Sequence, residues 1–108
     1  VLYYLRTSAT IALATNCNYY IDSYRKTIKK CKRGDSNYKE NDVYKSLRAD
    51  LSHLYYYRAS TYEKEKKYKK AVRDYGFTII TNKEDANAYN NRGIIYFEQK
   101  KACTNSAG

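Results

Sequence analysis

His53 is the only histidine in the chain, and an imidazole is the side chain best suited to acid–base or metal chemistry near neutral pH. Nucleophilic catalysis would need a motif pairing it with a nucleophile and an orienting acid, and none surrounds it. Glu84-Asp85 offers two adjacent carboxylates, but acids gather at helix N-termini because they complement the helix dipole. Cys17, Cys31 and Cys103 are an odd set, so they cannot close an internal disulfide framework, and no pair has zinc-ligand spacing. If Cys17 and Cys31 bracket one helix, its rise sets them ~20 Å apart, beyond the ~7 Å limit for a bridge. A glycine-rich phosphate loop is also missing. The expectation is a non-enzymatic protein with no cofactor and no metal, its thiols reduced in a cytoplasmic setting.

Charge is the other chemically active feature. The formal net charge is +10, and Arg25, Lys26, Lys29, Lys30, Lys32 and Arg33 place six bases in nine residues. A second run spans residues 64–70. Such runs attract nucleic acid, anionic lipid or acidic protein tails. They also serve as plain solvated helix faces. No RNA-binding signature accompanies them.

The elements that must carry these residues read as helices. The 108 residues include no Pro and only four Gly, which disfavours a turn-dense β fold. Tyr supplies 15 of the apolar residues, so stability must come from half-buried rings with polar tips. Five helices fit the apolar spacing: 2–14; 19–33, on Tyr20, Tyr24, Ile28 and Cys31; 42–66; 68–81; and 86–101. A break near Asp50–Ser52 is the alternative to one long third helix. Turns are expected at 15–18, at 34–37 with Gly34 in a left-handed stop, and at 82–85. Asn41 and Asp85 are suited to cap the helices that follow them. No apolar run reaches the ~20 residues of a membrane span. The opening residues lack a basic leader and an initiator Met, so the sequence reads as a processed chain or a piece of a longer one.

A near-repeat organises these helices. Tyr55, Arg58, Ala59 and Tyr62 recur 34 positions later as Tyr89, Arg92, Gly93 and Tyr96, and Lys66-Lys67 recurs as Lys100-Lys101. A period of this length marks stacked helical hairpins. Tyr55-x2-Arg58-Ala59-x2-Tyr62 followed by Ala71-x3-Tyr75 resembles the tetratricopeptide repeat pattern of aromatic, large, small, tyrosine, alanine and aromatic. Arg fills the large apolar position in both copies, its stem packing while its charge reaches water. The family's proline would fall at Lys83 and is missing. Leu2-Tyr3-Tyr4-Leu5-Arg6 echoes Leu54-Tyr55-Tyr56-Tyr57-Arg58 from 52 positions upstream.

The resemblance implies an all-α, right-handed solenoid of about two and a half repeats. It would comprise a degenerate hairpin at 1–34, an insertion or helix extension at 35–51, a full repeat at 52–85 and a truncated one at 86–108. Ala59, Tyr62, Ala71, Tyr75, Gly93 and Tyr96 would pack the hairpins. Gly93 in particular needs a close helix approach to justify glycine inside a helix. The family's concave groove maps onto His53, Tyr56, Ser60, Glu63, Lys64, Asn87, Asn90, Asn91, Ile94 and Phe97, where a peptide or protein segment would bind. Of the lysine, asparagine and arginine clamp that holds chaperone tails, only Asn91 has a counterpart, so that ligand is not expected. The alternative is a structural subunit that self-associates through uncapped terminal helices.

Overall fold

A computed structural model describes the backbone of residues 10–107 and the side chains of residues 17–101. Within those bounds the chain forms four α-helices and no strand: α1 (Thr10–Gly34), α2 (Asp42–Lys64), α3 (Tyr68–Thr81) and α4 (Ala86–Ala107), with a 3₁₀ turn at Tyr38–Glu40. Among the described residues no helix is long and apolar enough to cross a membrane.

α2 is central, and its sequence shows why. Leu51, Leu54 and Tyr55 are buried with Cys17, Ile21 and Ile28 of α1, whereas Ala59 is buried with Ala71, Tyr75 and Ile79 of α3 and with Ala88 and Ile95 of α4. Apolar positions on two sides of one helix let it join both clusters. α3 is simpler. Ala71, Asp74, Tyr75, Thr78 and Ile79 follow the three-and-four spacing of a single buried stripe. Ring edges fill the gaps, with Tyr56 against Tyr75 at 5.6 Å and Tyr38 against Tyr44 at 5.0 Å.

Local chemistry fixes the helix starts. Asn41 Oδ1 accepts from the backbone N–H groups of Val43 (2.8 Å) and Tyr44 (3.4 Å). Asp85 Oδ1 accepts from Ala88 N at 3.0 Å. The stop of α2 is less ordinary. Lys67 N donates to Tyr62 O (2.8 Å) and Lys66 N to Glu63 O (3.0 Å), a paired closure that requires Lys66 in the left-handed region, at φ 62°. Glycine usually fills that place because a Cβ is strained there. Lys66→Gly is therefore expected to stabilise the fold by about 0.5–1 kcal/mol in urea unfolding.

Four expectations are corrected. The turn expected at Thr15-Asn16-Cys17-Asn18 lies inside α1, so the described residues hold four helices and no hairpin bend there; residues 2–9 of the expected first helix fall outside the described residues. Burial explains the continuity. Cys17 is 3% exposed and its thiol donates to Leu54 O at 3.2 Å, and Asn18 accepts from Arg58 Nη1 at 2.9 Å. These contacts outweigh the weak helix preference of Thr and Asn. Gly34 ends α1 without a positive φ. The last helix runs through Ala107 rather than ending at 101. α2 is unbroken at Asp50–Ser52 and stops at Lys64.

Candidate functional site

Arg58 locks the helices that shape any binding surface. Its Nε and Nη2 donate to Asp74 Oδ2 and Oδ1 at 2.6 and 2.8 Å, while Nη1 reaches back to Asn18 of α1. The hydrogen bonds to Asp74 hold the guanidinium above its ordinary basicity, against burial that pulls the other way. The expectation that this charge reaches water is corrected: only 18% of the Arg58 side chain is exposed and Asp74 is fully enclosed. Asp74 escaped the sequence reading, although an acid three residues after Ala71 on a buried stripe was the available signal.

A second network joins α2, α3 and α4. Tyr75 Oη donates to Glu63 Oε1 at 2.7 Å. Asn91 Nδ2 donates to Tyr56 Oη at 2.9 Å and to Tyr75 Oη at 3.4 Å. Burial first, then the Glu63 carboxylate, push the Tyr75 phenol above its ordinary range. Tyr56, Glu63 and Asn91, expected to line the groove, are thus tied into the contacts between helices. Ser60 is half-buried, and Lys64 is exposed at the last residue of α2.

Six of the expected groove residues divide between two depressions, and Ser60, Glu63, Lys64 and Asn91 line neither. His53, Tyr56 and Asn87 come together with Tyr57 and Asp85 around a cleft of about 180 Å³ between α2 and the start of α4. His53 and Asn87 stand 34 positions apart in sequence. His53 also borders a neighbouring hollow of about 360 Å³ with Arg48 and Asn82. Asn90, Ile94 and Phe97 instead line a broad groove of about 740 Å³ along α4, together with Tyr89 and Gly93. Gly93 and Tyr96 do not pack as expected. A Cβ at Gly93 would meet nothing within 4 Å, and Tyr96 is 52% exposed. Ala59, Ala71 and Tyr75 are fully enclosed, and Tyr62 is half-buried against them.

The bases of α1 share one side. Arg25, Lys26, Lys29, Lys30, Lys32 and Arg33 are all exposed, along a broad arc whose edge, at Arg25 and Lys32, borders the stripe of buried Cys17, Ile21 and Ile28. Lys26 pairs with Asp22 at 3.2 Å, and Lys32 Nζ lies 5.8 Å from the Tyr38 ring centre. Cys17 and Cys31 are free thiols, and burial pushes the Cys17 thiol up to about 11. A thiol so enclosed is a packing group rather than a nucleophile. A scan against protein-family models found no match to the chain, and comparisons with curated proteins and with solved structures found none either.

Proposed function

We propose that this chain is a non-enzymatic protein-interaction module, built of tetratricopeptide-like hairpins, that binds an extended peptide segment at the cleft between α2 and α4. The observation that carries this reading is the meeting of His53 and Asn87. They are counterparts under the 34-residue repeat and line one cleft, so α2 and α4 offer like positions to the same ligand. The amide of Asn87 suits the main chain of an extended peptide, and the Tyr56 ring supplies apolar contact. Selection from a random peptide library tests the proposal. Selected peptides should bind the chain and lose at least about tenfold in affinity with His53→Ala/Asn87→Ala. No enrichment, or binding indifferent to both substitutions, would refute it.

The alternative reading is a structural subunit that assembles through its terminal helices, favoured by the exposed Ile94, Tyr96 and Phe97 on α4. Sedimentation at rising concentration separates the two, since a persistent monomer excludes self-assembly. The basic side of α1 would add docking to a polyanion, which modest salt should abolish.

A further inference from the structure

Ser36 stands in the turn between α1 and α2, and among the described residues it is the one serine or threonine outside a helix. Position decides what a hydroxyl can do. Thr27, Thr61, Thr78 and Thr81 each donate to a carbonyl one helical turn back, and Ser52 donates to Thr78 O. Their backbones are committed to helices as well. Ser36 is exposed, and its side chain makes no hydrogen bond within the described residues. Asp35 holds the turn around it, accepting from Asn37 N at Oδ1 (2.8 Å) and from Tyr38 N at its carbonyl (3.2 Å).

The charges beside Ser36 are one-sided. Lys29, Lys30, Lys32 and Arg33 place four bases in the seven residues before it, and Lys39 follows soon after. Asp35 is the single acid between Asp22 and Glu40, and its carboxylate already accepts from Asn37 N. Lys32 leans over the turn, with Nζ 5.8 Å from the Tyr38 ring centre. Arg33 lies in the last turn of α1, where fraying costs little. Residues 33–37 are all exposed, so a modifying enzyme can draw them out as an extended segment without disturbing the buried Ile28 or Tyr44.

We propose that Ser36 is a phosphorylation site for a serine kinase whose acidic cleft reads the bases before the acceptor, and that the phosphate weakens the hold of α1 on polyanions. Ser36 Oγ attacks the γ-phosphorus of ATP and the bond from that phosphorus to the bridging oxygen breaks. ADP leaves, and the hydroxyl proton passes to the catalytic carboxylate of the kinase. The product carries about −1.5 to −2 charge at neutral pH and three acceptor oxygens. Lys32 and Arg33 stand close in sequence to take them, which removes two of the six bases from the arc. The effect on binding rests on polyanion docking by α1; the site itself does not.

The test incubates the folded chain with ATP and cyclic-AMP-dependent protein kinase, which prefers basic residues before its serine. Mass spectrometry should find a single phosphate, on Ser36, that Ser36→Ala abolishes. Arg33→Ala should lower kcat/KM at least about tenfold. A kinase that prefers acidic substrates should leave the chain unmodified. Thr27 is the internal control, since Arg25 and Lys26 precede it but α1 holds it. It should stay unmodified while the chain is folded. No phosphate on Ser36, faster modification of Thr27, or indifference to Arg33→Ala overturns the site. The modified chain should leave a heparin column at lower salt than the unmodified one. Equal retention of the two overturns the effect on binding. An unmodified chain that heparin does not retain refutes polyanion docking itself, whereas phosphate on Ser36 still supports the site.

Discussion

Asp74→Ala is expected to lower the unfolding free energy by about 3–5 kcal/mol, because it leaves a largely enclosed guanidinium without its counter-charge. Asp74 is fully buried, accepts twice from Arg58 and stands 3.6 Å from Arg73 Nε. The loss should come from removing one partner rather than from any large net value of the pair. Arg58→Met combined with Asp74→Leu should therefore recover most of it. Urea unfolding of the two single variants and the double variant measures the coupling directly. Single and double variants of equal stability would show that the pair is not the lock that joins α1, α2 and α3.

Tyr75→Ala should be comparably severe, about 3–5 kcal/mol, since it removes a fully enclosed aromatic ring from between three helices. Tyr75→Phe keeps the ring and loses only the hydroxyl that bonds Glu63, so about 1 kcal/mol is expected. The same hydroxyl sets an alkaline limit. Tyr75 and Cys17 both titrate above their ordinary values in the fold, chiefly through burial. Their contribution is full below the ordinary values of 10.0 and 9.0 and is lost as pH rises from there through the raised values of the fold. Alkaline unfolding of Tyr75→Phe should accordingly begin at higher pH relative to its own neutral stability, read by circular dichroism.

The elements that were legible from sequence are those where one stripe of apolar residues meets one neighbour. α3 shows this, with its buried Ala71, Tyr75, Thr78 and Ile79, and the caps at Asn41 and Asp85 follow from side chains that bond their own backbone. What was not legible depends on partners distant in sequence. Thr15-Asn16-Cys17-Asn18 has the composition of a turn, but Leu54 and Arg58, about forty positions away, hold Cys17 and Asn18 in a helix. Arg58 looks like a surface charge until Asp74 is set beside it. Of the candidate site, His53, Tyr56 and Asn87 line one cleft, while Asn90, Ile94 and Phe97 line a separate groove. Gly93 matches Ala59 in position but not in surroundings, because α3 covers one and nothing among the described residues covers the other.

That contrast offers the most direct test of the proposed 34-residue repeat, in which α3 covers Ala59 and nothing among the described residues covers its counterpart Gly93. Denaturant unfolding of Ala59→Leu and Gly93→Leu should be compared side by side. Ala59→Leu forces a large side chain between α2 and α3 and should cost about 1–3 kcal/mol or more. Gly93→Leu places the same side chain in open space and replaces a poor helix former, so stability should hold or rise by up to about 1 kcal/mol. Equal destabilisation by both, or a larger loss at Gly93, would contradict these unlike surroundings.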